Sequence, residues 1–412
     1  MTDELMQQNI PPGPMSGIRV LEFATNAAGP FCTQFLGDLG ADVIKVEPPH
    51  GDPVRQMPPF HQGQSGLFAQ FNRNKRSISV DLTTPTGRTI ARLLAQRADV
   101  VVENARPGVL DKLGLGFTHL HANNPALVYL SINGYGDDGP YRDMPAYDQV
   151  IQGLTGFACQ QGGDGPPALI RAGIVDKTAS IFGALAVLGA LLHVKSGGSG
   201  QRINVNLLDA YSAFALPEQI SSYTFRNAGG GGTSINVFGL LETSDGYASG
   251  LVQHRQLRAT CSALGREDLL ADPRFASTGE VMVNQEQLFA ELSTVTRTMT
   301  KAELRQLAIE HRLPLAPVNN YDEYFEDPQV RHNHSYVDFH DPDLGCIRLL
   351  KPFASFSASP AQIYRRPPRL GEHTSDVLRE AGWTEQMIRE ALQDNTIHEA
   401  PHPEVETVDG KS

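Results

Sequence analysis

Gly17-Ile18-Arg19-Val20-Leu21-Glu22-Phe23, Ala27-Ala28-Gly29-Pro30 and Asp42-Val43-Ile44-Lys45-Val46-Glu47 are the stretches whose reading decides the fold. The first and last are short runs of β-branched and large aliphatic residues and read as strands. The middle one reads as a tight turn. After it, residues 31–39 carry the spacing of a helix, closed by Gly40. Strand, helix, strand is a βαβ unit, which implies a parallel sheet and a right-handed crossover.

Working outward, residues 77–82, Asp99-Val100-Val101-Val102-Glu103 and residues 127–132 predict more strands. Residues 85–97 predict an amphipathic helix with Pro85 in its first turn. Residues 177–194 predict a long helix of small residues, with Asp176 as its N-cap. A strand over 201–207 and a helix over 209–223 follow. The composition then shifts at Asn227-Ala228-Gly229-Gly230-Gly231-Gly232. Beyond it come a hairpin over 239–252 and helices over 255–264, 284–299 and 301–310. Strand-like sequence returns over 336–356, and residues 374–392 predict a last helix. The expected organisation is a large domain over 1–225, a small domain over 226–334 and a return segment over 335–394. Residues 395–412 are expected to be a disordered tail.

The chain has 412 residues, with Lys+Arg 34 against Asp+Glu 46, a formal charge of −12. That excludes nucleic-acid wrapping and polybasic membrane binding, which need clustered cations. Hydrophobic residues at 40% suffice for a sizeable core. No apolar run reaches the ~18 residues of a membrane span. The start has neither the basic nor the apolar region of a signal peptide. Cys32, Cys159, Cys261 and Cys346 are scattered, without metal spacing, and the expectation is a reduced, cytoplasmic protein with no metal.

Each chemical constellation has two readings. Asn72-Arg73-Asn74-Lys75-Arg76 and Glu103-Asn104-Ala105-Arg106, with Lys112, read as phosphate-binding groups at strand ends or as solvated charge runs. Asp176 reads as a helix cap or as a carboxylate nucleophile. Both roles need the same place, because a helix N-terminus stabilises an anion. Gly229 to Gly232 read as a lid offering backbone N–H groups or as a linker.

Taken together, the segments resemble the class III CoA-transferases, typified by formyl-CoA transferase and the carnitine-linked CoA-transferase. The related 2-methylacyl-CoA racemases share the fold. The resemblance is carried by residues 17–23, Ala28-Gly29-Pro30-Phe31, residues 39–47, Gly51-Asp52 with Arg55, residues 74–82 and Val102-Glu103-Asn104-Ala105-Arg106-Pro107-Gly108. Gly139-Pro140, Ala146-Tyr147-Asp148, Pro317-Val318-Asn319 and Leu370-Gly371-Glu372-His373-Thr374 complete it. It implies an α/β fold in which a Rossmann-like large domain with a parallel sheet joins a smaller α+β domain. The chain would form a ring, two of which interlock as a homodimer or as a heterodimer with a homologue. Asp176 falls on the family's nucleophile. Contacts to coenzyme A fall on Ala27, Ala28, Val80, Leu82, Thr83, Asn104, Arg106, Lys112, Tyr147 and Asp148. Gly229, Gly230, Gly231 and Gly232 fall on the glycine loop that covers the reacting aspartate.

The implied substrates are an acyl-CoA, with succinyl-CoA as a candidate, and a free carboxylic acid. No tightly bound cofactor, nucleic acid or membrane is implied. Two departures stand out. Ala27 occupies the place of a Gln in formyl-CoA transferase, which counts against formyl and oxalate substrates. Pro48 replaces a basic residue after the second strand. The alternatives are a racemase or a CoA-binding subunit without its own chemistry. The racemases carry a Gly-His-Asp run where this chain has Ala146-Tyr147-Asp148, and tyrosine, with a pKa near 10, is a poor general base.

Overall fold

The computed structural model describes residues 12–225 and 238–400. The chain divides into two compact units, Met1–Gln219 with Ser335–Ser412, and Ile220–His334.

The first unit is built on a seven-stranded sheet. Its strands in chain order are β1 (Arg19–Glu22), β2 (Asp42–Glu47), β3 (Lys75–Val80), β4 (Val100–Glu103), β5 (Val128–Asn133), β6 (Arg202–Asn206) and β7 (Ile397–His398). They lie side by side as β7-β3-β2-β1-β4-β5-β6. All pairings are parallel except that of β7 with β3. The order 3-2-1-4-5-6 is that of a doubly wound dinucleotide-type sheet. Its direction reverses between β1 and β4, and the crevice at their carboxyl ends is where such sheets bind ligands.

Strand periodicity splits the core in two. Val20, Val43, Val100, Val102 and Leu130 face one layer, formed by α1 (Ala28–Asp38), α4 (Ile174–Lys195) and α5 (Leu207–Ala215). Leu21, Ile44, Ile78, Val80 and Val101 face the other, formed by α2 (Pro85–Gln96), α6 (Thr374–Glu380) and α7 (Glu385–Gln393). Adjacent strand residues thus reach opposite layers, as the two-residue repeat demands. One further helix, α3 (Asp148–Leu154), contacts α4.

Several expectations are corrected. Asp176 is not the N-cap of α4, because the helix begins at Ile174 with Gly173 as its cap. Helix α5 stops at Ala215 rather than reaching 223, since Pro217 disfavours helical geometry at the residue before it and cannot donate an N–H. The tail does not begin at 395. The Asp81 N–H donates to Thr396 O at 2.8 Å, and Ile397 is 1% exposed, completing the second core layer. Two strand residues carry too little periodicity to be read from sequence.

The second unit has an antiparallel sheet of Gly239–Thr243, Gly246–Gly250 and Leu315–Pro317. Helices His254–Ala263, Gln285–Thr296 and Lys301–His311 pack around it on Leu241, Leu257, Leu288 and Leu292. These follow the predicted hairpin and helices within a few residues.

Candidate active site

The turn from β1 into α1 lies at the switch point of the sheet. Thr25 and Asn104 join its two sides. The Thr25 N–H donates to Asn104 Oδ1 at 2.9 Å, and Asn104 Nδ2 donates to Thr25 O at 2.8 Å. The Ala27-Ala28 turn and the 104–106 loop are therefore one tied structure. Asn26 sits at φ 64, and its N–H donates to Asp52 Oδ1 at 3.1 Å. A Cβ on Gly29 would stand 2.2 Å from that of Ala24, so only glycine closes the turn. Among the described residues no side chain caps α1, whose N-cap is Ala27. Uncapped first-turn amides stabilise negative charge.

A buried ion network supports this turn from inside. Lys45 Nζ lies 2.7 Å from Glu22 Oε1 and 2.8 Å from Asp52 Oδ2, and donates to Ala24 O at 2.9 Å. Lys75 Nζ lies 2.9 Å from Glu22 Oε2 and donates to Pro30 O at 2.7 Å. Burial alone would raise the Glu22 pKa, but the two ammonium groups outweigh it and hold the carboxyl below its usual range. Burial pushes the Lys75 ammonium down to about 8, with Glu22 opposing the shift. The network thus fixes two backbone carbonyls, those of Ala24 and Pro30, on either side of the turn.

Asp176 is the third residue of α4 and only partly buried. Its carboxylate makes no hydrogen bond among the described residues. Asp148, at the start of α3, does the capping instead. Its Oδ2 accepts from the N–H groups of Val175 at 2.7 Å and Asp176 at 3.2 Å, and its Oδ1 accepts from Gln152 Nε2 at 2.6 Å. This external cap is why α4 starts before Asp176. A Cβ on Gly173 would lie 3.7 Å from Asp148 Oδ2 and 3.9 Å from Asp176 Oδ2, so both carboxylates flank the same glycine. Burial, then the Asp148 charge, raise the Asp176 pKa to about 6, with Lys177 opposing. Ser180 Oγ sits 2.7 Å from both Ala28 O and Asp176 O, which ties the start of α4 to the start of α1.

The other predicted site residues distribute unevenly. Asn104 holds the turn, while Arg106 and Lys112 are exposed and form no ion pair with a described residue. Thr83 is exposed on a turn bonded to Asp81, and Tyr147 is 67% exposed. Val80 is 1% exposed and its side chain belongs to the core, and Leu82 packs against the same core. Asp148 is 5% exposed, and its oxygens accept from Gln152, Val175 and Asp176 inside the chain. Gly229, Gly230, Gly231 and Gly232 lie outside the described residues. The basic cluster binds no phosphate-facing surface: Arg73 pairs with Asp38, Lys75 with Glu22, and Arg76 with Asp42 and Glu380. These side chains enter from the amino end of β3, where internal carboxylates meet them. Among the described residues no cluster of His, Cys, Asp and Glu could hold a metal ion. The Glu22–Lys45–Lys75 network was missed, although a lysine inside the apolar run Asp42–Glu47 signals a buried partner.

Comparison with known proteins shows the family. Residues 15–374 match CoA-transferase family III. The chain is 36% identical over 382 residues to a succinate–glutarate CoA-transferase of Agrobacterium fabrum, covering 89% of this chain and 95% of that one. It is 33% identical over 387 residues to a succinyl-CoA–D-citramalate CoA-transferase of Chloroflexus aurantiacus, covering 90% and 95%. A crystal structure of a CaiB/BaiF family protein from Brucella suis superposes with a TM-score of 0.79 at 33% identity, over 90% of this chain and 100% of that one. The chain belongs to CoA-transferase family III and is an enzyme of the CoA-transferase type.

Proposed function

We propose that the enzyme moves CoA from a dicarboxylic acyl-CoA, succinyl-CoA first among candidates, to a second free acid, with Asp176 as nucleophile. The carrying observation is the Asp176 carboxylate: hydrogen-bonded to none of the described residues, at the first turn of α4, and next to the turn that opens α1. Both similar CoA-transferases are named for dicarboxylic acids, which supports the substrate class.

In this reading Asp176 attacks the thioester carbonyl, the C–S bond breaks and CoA leaves as thiolate. The acyl-aspartyl anhydride is then attacked at the aspartyl carbonyl by the thiolate. That expels the donor acid as its carboxylate and leaves an aspartyl-CoA thioester. The acceptor carboxylate attacks this thioester and releases thiolate again, forming a second anhydride. Thiolate attack on the acceptor carbonyl gives the new acyl-CoA and restores the Asp176 carboxylate. One thioester is exchanged for another, so the chemistry needs no ATP. First-turn amides of α1 stabilise the oxyanions that develop. A carboxyl with a pKa near 6 is mostly ionised at pH 7 and is still more basic than an exposed aspartate. Exposed Arg106 and Lys112 suit the CoA phosphates, and the candidates for a second substrate carboxylate are the exposed Arg142 and Arg171, together with Arg226, which lies outside the described residues.

The same family likeness supports an interlocked dimer as the working form. Asp176→Ala should abolish transfer while CoA still binds. Mass spectrometry of the wild type incubated with succinyl-CoA should find CoA attached to Asp176. Turnover near wild type in the variant, or no adduct in the wild type, overturns the reading.

A further inference from the structure

Glu103 ends β4 at the carboxyl edge of the sheet and is 6% exposed. Among the described residues it has no cation within ion-pair distance, unlike Glu22 and Glu47, which pair with Lys45 and Arg55. A glutamine would fill nearly the same volume, so the buried carboxylate itself needs a cause. Two donors meet it. The Ala105 N–H donates to Oε2 at 2.8 Å, and the Ser131 hydroxyl, in register on β5, donates to Oε1.

The bond to Ala105 bends the chain as it leaves the strand. It spans two residues, so it closes a tight turn around Asn104. Asn104 is held from its other side by the two bonds to Thr25. Arg106 follows directly, and its carbonyl accepts from the Val109 N–H at 3.1 Å, where the helical turn Val109–Lys112 begins. Arg106 and Lys112 are both exposed, yet both leave from this one fixed bend.

We propose that Glu103 is a positioning residue for CoA: its carboxylate holds the 104–106 loop so that Arg106 and Lys112 are aimed at the CoA phosphates. This rests on the reading above that these two side chains contact CoA, and it does not depend on the nucleophile. Hydrogen bonds to an ionised carboxylate are about twice as strong as those to a neutral one, so the bend is firmest when Glu103 carries its charge. Burial raises the Glu103 pKa to about 7, against the bonds from Ser131 and Ala105 and the charge of Arg202, while Asp111 adds to the rise. Arg202 is itself paired with Asp137. The remaining titratable neighbour, Tyr129, is kept neutral by burial and by Glu103. The loop therefore loosens as pH falls through neutrality and Glu103 takes up a proton.

The test is calorimetric titration of the full chain with free CoA at pH 8 and pH 6. Glu103→Ala leaves the Ala105 amide without its acceptor and should weaken binding by about tenfold at pH 8. Glu103→Gln keeps an oxygen for that amide but not the charge, and should lose about fivefold. At pH 6, where the wild-type carboxyl is mostly neutral, the Gln variant should bind nearly as well as wild type. The ratio of variant to wild type cancels the titration of the CoA phosphates themselves. A merely structural role would lower the stoichiometry of binding and leave the affinity of folded chains unchanged at both pH values, which overturns the proposal. Tighter binding by Glu103→Gln also overturns it, since the carboxylate would then only repel the phosphates. Arg106→Ala keeps the two readings apart. Unchanged affinity in that variant overturns the loop contact and this proposal with it, whereas a loss there beside unchanged affinity in Glu103→Gln overturns the positioning role alone. If Glu103→Ala does not fold, the Gln variant at the two pH values decides.

Discussion

At the scale of single residues, the site turns on two carboxylates with opposite tasks. Asp148 gives Oδ2 to the helix start and Oδ1 to Gln152, and the Asp176 carboxylate is hydrogen-bonded to none of the described residues. Burial and the neighbouring charge then make the ionised form of Asp176 unfavourable in the folded chain. An unfolded aspartate ionises near pH 4, the folded one near 6, so this group lowers stability as pH rises through that window. Asp176→Ala should therefore be more stable than wild type at pH 7, by about 1–2 kcal/mol, with the gap closing towards pH 4. Denaturant titrations at the two pH values measure it. Asp148→Asn removes the second cause of the raised pKa. The acid limb of the transfer rate should move to lower pH. The loss of the charged cap should destabilise the chain by about 1 kcal/mol. An unmoved acid limb would mean that burial alone sets the Asp176 pKa. The sequence drew attention to both aspartates, to Asp148 as a contact to CoA and to Asp176 as the proposed nucleophile. Asp176 is proposed because helix-start position and family likeness point the same way. The capping role of Asp148 depends on a contact between residues 148 and 175, and local pattern does not carry contacts across that separation.

At the scale of elements, the turn at Ala27-Ala28 is positioned by charges that never meet solvent. Glu22, Lys45 and Lys75 lie on three adjacent strands, β1, β2 and β3, and all have side chains at 0% exposure. Lys75→Met would leave Asn72 and the carbonyl of Pro30 without their donor, and Glu22 with Lys45 as its remaining cation. Breaking a buried pair by removing one partner costs about 3–5 kcal/mol. The midpoint of chemical denaturation should fall accordingly, and among folded molecules kcat should drop more than the affinity for CoA. A variant as stable as wild type would show that the network is dispensable. The strands themselves were legible, because apolar runs such as Val100-Val101-Val102 have one reading in a βαβ chain. The antiparallel edge strand β7 was not, since Ile397 alone supplies its apolar signal. The basic run 72–76 was misleading for the same reason that Lys45 was informative. Charge along the chain does not say which carboxylates wait on neighbouring strands.

At the scale of the whole molecule, α4 carries the last question. Its inner face, with Val175, Ala179, Gly183 and Val187, is packed into the first core layer. Its outer face presents Ile181 at 51%, Leu185 at 62%, Leu188 at 37% and Leu192 at 68% exposure. That spacing is one continuous helical stripe. The helix is long and apolar enough to cross a membrane by length and composition, yet half of it is buried in the unit. A stripe of this kind marks an interaction surface, and the proposed dimer supplies a second copy to cover it. Leu185→Glu with Leu192→Glu should then block assembly and leave monomers in light scattering. The wild type should behave differently from an ordinary weak dimer. Interlocked chains separate only by opening locally, so dilution to nanomolar concentration should leave the dimer intact for hours. Dissociation within minutes would show that the copies merely touch. Binding to lipid vesicles by the wild type, lost in the double variant, would assign the stripe to a membrane surface instead.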